Sequence, residues 1–231
     1  ADFPHYLMHR AEQLDNIYIF KNTEGTPENI RKFHPNIIVS STGSAPLLPP
    51  IAGLKDRIDN EDYNIYSILG MISHINDFPK DLEGKKVVVV GGGAVGLDVV
   101  EFFADRNADI SIVEMMDQIG RDLDPVSKND TKAMMKKHNV HQLTKTALLE
   151  VKDSSFLVKG DGEPYELPFE YGFVCLGMRA QGQLYQSLAE EFSSEDVEIM
   201  NIGDSQRARR IIDGTQEGRN ILTILEQRGY L

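Results

Sequence analysis

The chain has 231 residues, 41% apolar and 26% charged, a globular balance with material for one large domain or two small ones. Lys and Arg number 24 against 36 Asp and Glu, a formal charge of −12 that excludes a general nucleic-acid binder, which needs a basic face to displace counterions. A single cysteine, Cys175, excludes an internal disulfide, a four-thiolate iron–sulfur site and a redox pair of thiols, and fits a reducing, cytoplasmic setting.

The opening Ala1-Asp2-Phe3 lacks Met and reads as a processed product or an excised piece of something longer. Residues 1–20 carry no signal-peptide pattern, and no apolar run approaches the roughly 20 residues that span a bilayer, so no membrane role is expected. Leu7, Ala11 and Leu14 recur at helical spacing and predict a helix over Asp2 to Asn16. Ile17 to Phe20 and Ile37 to Ser40 are strand candidates. Pro46-Leu47-Leu48-Pro49-Pro50 interrupts regular structure and reads as a boundary. Residues 55–84 are polar and mixed, with a helix near Ile65 to Ile75.

Val87 to Val90 form an unbroken β-branched run, as expected of a strand buried on both faces of a parallel sheet. Gly91-Gly92-Gly93-Ala94-Val95-Gly96 follows. Val95, Val99, Phe102 and Phe103 then draw a helical stripe, and Ile110 to Val113 reads as the next strand. The unit has the length of a strand–helix–strand motif. Asp124 caps a further helix with Pro125 at its first position, running to about His138. Short strands are expected at Val140 to Leu143, Ala147 to Val151 and Phe156 to Val158, with a hairpin signal at Gly160-Asp161-Gly162 before Tyr165. Phe173 to Gly177 reads as a strand ending in glycine. Another strand is expected at Val197 to Ile202, and a helix from Ile211 to Gln227 closes the chain.

Gly91, Gly93 and Gly96 fit G-x-G-x-x-G in the strand–turn–helix setting that the pattern requires. Gly91 permits the tight turn, Gly93 lets a pyrophosphate approach the backbone, and Gly96 lets the helix pack close to its strand. The helix start then offers N–H groups to phosphates. Glu114 ends the next strand, where a carboxylate can accept the hydroxyls of an adenosine ribose and repel a 2′-phosphate. Met115, Met116 and Asp117 after it carry no positive charge, so NAD(H) is favoured over NADP(H).

Four features occur in order: Ser41-Thr42-Gly43-Ser44-Ala45-Pro46, the stretch Gly91 to Glu114 with Ile119-Gly120-Arg121-Asp122 behind it, Cys175-Leu176-Gly177, and Asn201-Ile202-Gly203-Asp204-Ser205. Ile211-Ile212-Asp213-Gly214 and Gly218 extend the series. The order resembles the pyridine nucleotide–disulfide oxidoreductase superfamily of two-dinucleotide-binding-domain flavoproteins. In detail it resembles the C-terminal part of old-yellow-enzyme-like 2,4-dienoyl-CoA and 2-enoate reductases. The resemblance implies a Rossmann-like, doubly wound α/β domain for NAD(H) over residues 60–178. It also implies an incomplete FAD-domain remnant made of 1–59 and 179–231. By the same resemblance Gly91, Gly92, Gly93, Ala94, Val95 and Gly96 face the NAD pyrophosphate, and Gly177 lets the nicotinamide approach. Thr42, Gly43, Gly203 and Asp204 border FAD. Asp98 stands where the family usually has the longer Glu, near nicotinamide and flavin.

No second G-x-G-x-x-G precedes Gly91, and an FMN-carrying barrel is missing. The implied partner is therefore a flavin-binding half or FMN-barrel domain. The implied function is hydride transfer from NADH to FAD within an enoate, enone or dienoyl-CoA reductase. A standalone NADH:acceptor reductase using free flavin and a non-catalytic NAD-sensing module stay open as alternatives. No residue reads as a catalytic acid or nucleophile. His5 and His9 read as surface histidines, Cys175 as a buried inert thiol, and Arg207, Arg209 and Arg210 as a solvated cluster. Met115-Met116 and Met134-Met135 read as core fillers.

Overall fold

The computed structural model describes residues 2–230. They divide into two compact units, one of residues 1–43 with 181–231 and one of residues 44–180. The first begins with α1 (Asp2–Glu12), α2 (Pro27–Arg31) and β1 (Ile37–Ser40). The second carries β2 (Ser44–Pro46), α3 (Leu54–Arg57), β3 (Ile65–Tyr66), α4 (Ile68–Ser73), β4 (Lys86–Val90), α5 (Ala94–Ala104) and β5 (Asp109–Val113). It continues with α6 (Pro125–Lys137), β6 (His141–Leu143), β7 (Ala147–Val151), β8 (Ser155–Lys159), β9 (Tyr165–Pro168), β10 (Tyr171–Val174) and β11 (Met178–Ala180). The chain then returns to the first unit with α7 (Gln183–Glu191), β12 (Glu198–Asn201), a 3-10 turn (Gly203–Ser205) and α8 (Ile211–Gln227). No helix among the described residues is long and apolar enough to cross a membrane.

The second unit is built on a five-stranded parallel sheet in the order β3-β10-β4-β5-β6. Its centre is the tetravaline strand. Val87 and Val89 point into a core shared with Val99, Val100 and Phe103 of α5, Ile110 and Ile112 of β5, and Met135 of α6. Val88 and Val90 point the other way, into a core with Val113, Phe156, Val158 and Val174. All four valines are at most 3% exposed. Burying each contributes roughly 1.5–3 kcal/mol. The second face is covered by a three-stranded antiparallel sheet, β7-β8-β9, closed by the Gly160-Asp161-Gly162 hairpin. The expected α/β, Rossmann-like fold is thus present, with helices on one face and a β-meander on the other.

This unit starts at Ser44, beside the proline-rich stretch that reads as a boundary and ahead of the residue 60 that the resemblance implies. Ser44–Pro46 pairs antiparallel with Met178–Ala180. Ala52 bridges to Glu150, and Leu54 is fully buried in the core of the second face. These contacts lie between residues far apart in the chain, so no local pattern announces them.

In the first unit, β1 and β12 pair in parallel, and Ile38 packs on Leu188 and Phe192 of the α7 region. Arg31 lies over the Phe192 ring at 4.6 Å and donates from Nε to Glu191 at 2.9 Å, with Glu195 as a further partner. The expected strand at Ile17 to Phe20 is not formed: these residues make no ladder and all four are exposed. A β-branched and aromatic run becomes a strand only where a neighbour supplies hydrogen bonds. The first helix ends at Glu12 rather than Asn16. The helix expected over Ile65 to Ile75 is a two-residue strand followed by α4, because Ser67 caps the helix by accepting the Gly70 N–H at 3.1 Å.

Candidate functional site

The sheet sets the site. The chain runs β4 to β5 to β6 in one direction and later places β10 on the other side of β4. Strand order therefore reverses at β4, and in open α/β sheets ligands bind outside the carboxyl ends at such a point. Gly91 leaves that end with φ +109° and donates to Val113 O at 2.8 Å. A Cβ there would stand 2.1 Å from the Cys175 carbonyl oxygen, and a Cβ on Gly96 would stand 1.9 Å from the Gly91 oxygen. Both positions need glycine for packing alone.

Gly93 differs. Its backbone is extended, and a Cβ built on it meets nothing within 4 Å. It is the N-cap of α5, and no side chain caps that helix. The first intrahelical bond comes from Leu97 N–H to Gly93 O at 3.1 Å. The amides of Ala94 and Val95, in the first turn, thus have no intrahelical acceptor. Both residues lie at the surface with Gly93, Ala94 exposed and Val95 half-buried. Bare amides, the positive end of an 11-residue helix and open space beside a glycine make an anion cradle.

Glu114 closes the cradle on one side. One carboxylate oxygen accepts the Gly92 N–H at 2.6 Å and the other accepts the Met116 N–H at 2.7 Å. Gly92 is held at its other end too, its carbonyl accepting from Gly120 N–H at 2.7 Å. The Gly92 amide, expected to face a pyrophosphate, is therefore committed to Glu114. A carboxylate has about four lone-pair positions, so Glu114 keeps capacity for sugar hydroxyls. Met115 and Met116 are not core: they are 68% and 41% exposed beside Glu114. They follow the last residue of a buried strand, in the turn where the sheet's shelter ends. Met135 is buried and Met134 half-buried, as core fillers would be.

Gly177 has φ +106° and open space around it, three residues beyond the end of β10, the neighbour of β4. Asp98 lies one turn into α5, on a cavity of about 350 Å³ that Ala94, Glu101, Ser127, Asp130 and Met134 also line. Partial burial pushes its carboxyl up, and the charge of Glu101 adds to this. Burial pushes the Cys175 thiol up to about 12, which keeps it protonated and inert.

Thr42, Gly43, Gly203 and Asp204 belong to the other unit. They leave the adjacent carboxyl ends of β1 and β12, where Ser40 pairs with Asn201. Thr42 Oγ1 donates to Gln181 O at 2.6 Å, and Gly43 O accepts the Gln181 N–H at 3.0 Å. Gly203, at φ +66°, donates its N–H to Glu217 at 2.6 Å, and Asp204 accepts the Arg209 N–H at 3.1 Å. Arg209 also pairs with Glu217, while Arg207, Arg209 and Arg210 are all exposed, as a solvated cluster would be. Arg210 is 82% exposed. Sequence reasoning missed Glu217, because an acidic residue in a helix carries no local sign of what it holds; Gly120 stands in the ordered series of motifs without a role.

The donor set of the second unit fits a dinucleotide: backbone amides and a helix start for the diphosphate, a carboxylate for the ribose. The first unit offers two strand ends and Asp204 but no glycine-rich strand–helix turn, and does not by itself fit the ADP half of FAD. No group of three or more His, Cys, Asp or Glu that could hold a metal lies among the described residues.

Comparison with known proteins bears on the family and the fold. The sequence profile described as pyridine nucleotide-disulphide oxidoreductase matches residues 9–200. A metal reductase of Desulforamulus reducens is 27% identical over 95% of this chain and 36% of its own length. An NADH oxidase of Thermoanaerobacter brockii is 26% identical over 83% of this chain and 28% of its own. This chain thus spans about a third of the length of these relatives. The fold superposes on a 2-naphthoyl-CoA reductase with a TM-score of 0.75, at 22% identity, over 92% of this chain and 30% of that one. The chain belongs to the pyridine nucleotide-disulphide oxidoreductase family, a membership that implies NAD(H) and FAD as cofactors.

Proposed function

We propose that this chain is the NAD(H)-binding portion of an FAD-dependent oxidoreductase. In the whole enzyme it serves an enoate, enone or dienoyl-CoA reductase-type reaction. When bound, the nicotinamide supplies the hydride and a flavin receives it; that chemistry belongs to the cofactors. The chain's own residues do the holding. The amides of Gly93, Ala94 and Val95 take the diphosphate on the positive end of α5. Glu114 accepts the adenosine ribose hydroxyls while it pins Gly92 and Met116. Its charge, with no cation on Met115, Met116 or Asp117, disfavours a 2′-phosphate. Gly177, open on the neighbouring strand end, leaves room for the nicotinamide. Asp98, with its carboxyl pushed up by partial burial, lines the cavity beside the start of α5 and is the side chain assigned to the nicotinamide end. Thr42, Gly43, Gly203 and Asp204 border the flavin, which needs further residues from a flavin-binding half or an FMN-barrel domain.

The observation that carries this reading is the bare start of α5 beside the open face of Gly93. Titration of the purified chain with NADH, NADPH and FAD tests it. The expected result is one NADH site, weaker NADPH binding and no stoichiometric FAD on the purified protein. A yellow protein with one FAD per chain overturns the assignment of an incomplete flavin site. Absence of any NADH binding overturns the whole reading.

A further inference from the structure

Glu114 is held by its main chain as well as by its carboxylate. Its N–H donates to Leu143 O at 2.9 Å, and its carbonyl accepts the Thr146 N–H at 2.9 Å. Two residues on, Met116 O accepts the Lys145 N–H, also at 2.9 Å. The pairing of β5 with β6, which sets Ser111 to Val113 against His141 to Leu143, thus continues past both strand ends. It brings the turn of residues 144–146 against Glu114 and Met116. Thr146 is buried and closes that turn by donating from Oγ1 to Thr144 O at 2.9 Å. Lys145 sits at the tip, exposed, with a left-handed φ of +51°. Its ammonium makes no ion pair among the described residues.

This inference rests on the dinucleotide reading above. With the adenosine ribose on Glu114, its 2′ position meets a loop whose own residues, Met115, Met116 and Asp117, bring no positive charge. The neighbouring turn brings one. A lysine head is a compact charge on a flexible four-carbon stem, so a fixed backbone places it without locking it. We propose that Lys145 is a specificity-determining residue of this site: it attracts the 2′-phosphate of NADPH against the repulsion of Glu114, and so keeps the preference for NADH shallow. The two side chains act as opposed charges across one pair of main-chain contacts. The carboxylate takes hydroxyls and repels a phosphate; the ammonium takes the phosphate and adds little to a neutral ribose.

The test is titration calorimetry of NADH and NADPH on the wild-type chain, Lys145→Asn, Lys145→Gln and Lys145→Arg. Asn suits the left-handed backbone and Gln keeps a longer stem, so the two neutral variants alter the turn differently while removing the same charge. The expected result is NADPH binding to the wild type, weaker than NADH, and a further loss of about three- to fivefold in NADPH affinity in both neutral variants. NADH should stay within about twofold throughout, and Lys145→Arg should keep NADPH within about twofold of the wild type. Because Lys145 is exposed, melting temperatures should differ by no more than about 3 °C. Wild-type chain that fails to bind NADH overturns the dinucleotide reading, and this inference with it. NADH binding with no measurable NADPH binding overturns the role of Lys145 alone. So does a loss of NADPH affinity below about twofold in the neutral variants, or one confined to a single neutral variant. An equal loss of NADH, or an equal loss of NADPH in Lys145→Arg, which keeps the charge, overturns it as well.

Discussion

Glu114 accepts the amide of Gly92 at 2.6 Å, tying the end of β5 to the turn that follows β4. The bond makes one carboxylate both a ligand group and a brace for the loop beside it. Replacing Glu114 with Ala removes the acceptor for two amides, of which Gly92 is buried. An orphaned buried donor costs about 1–3 kcal/mol. The expected outcome is a lower melting temperature, about tenfold weaker NADH binding and a narrowed preference over NADPH. Unchanged affinity and preference, measured by fluorescence titration, would refute the assignment of Glu114.

The fingerprint glycines have separable roles. A Cβ on Gly96 would stand 1.9 Å from the Gly91 oxygen, so Gly96→Ala must displace backbone. A destabilisation of about 3 kcal/mol is expected, a fall in Tm of about 6–12 °C by calorimetry. A Cβ on Gly93 meets nothing within 4 Å, so Gly93→Val should fold, with a fall in Tm of no more than about 5 °C from the poorer helix cap. It should nevertheless lose at least about tenfold in NADH affinity, because its side chain fills the space beside the helix start.

That division explains what the sequence could show. The β-branched run at Val87 to Val90, the glycines after it and the Asp124-Pro125 helix start are local signals, and each forms as expected. Asp124 accepts from Val126 N–H at 2.9 Å and Ser127 N–H at 3.1 Å. Ile17 to Phe20 failed as a strand because strand formation depends on a partner, not on the segment. Met115 and Met116 were misplaced because a hydrophobic pair next to a buried strand has the composition of core. Only the path of the chain at Glu114 shows that it faces outward. Short elements such as α3 and β11 were invisible for a similar reason: their existence rests on Leu54 burial and on the pairing of Met178 with Pro46.

Acid should weaken the first unit through Glu217. The Gly203 N–H, and secondly Arg209, hold its carboxyl below the ordinary 4.5. The unfolded chain therefore binds a proton first, so this contribution is present above about pH 4.5 and is lost as pH falls through the lower folded value. Asp124 and Glu166 shift in the same direction and add to the acid limb. Glu217→Gln should flatten that limb in denaturant unfolding between about pH 3 and about pH 6, without reaching zero slope.

Cys175 should behave oppositely. Its thiol is pushed from 9.0 up to about 12 by burial, with the charge of Asp98 adding to it. The stabilising contribution is full below the unfolded value and declines as pH rises from about 9 towards 12. Near pH 8 a thiol reagent should leave the native chain unmodified and label one group per chain in denaturant. Stoichiometric labelling of the native chain would contradict the burial of this side chain.

The central claim is that the amides at the start of α5 grip a dinucleotide diphosphate. Isothermal titration of NADH into the wild-type chain and into folded Gly93→Val tests it most directly. One binding event in the wild type, lost in the variant, is the predicted result. Absence of heat in the wild type, or the same affinity in both proteins, contradicts it.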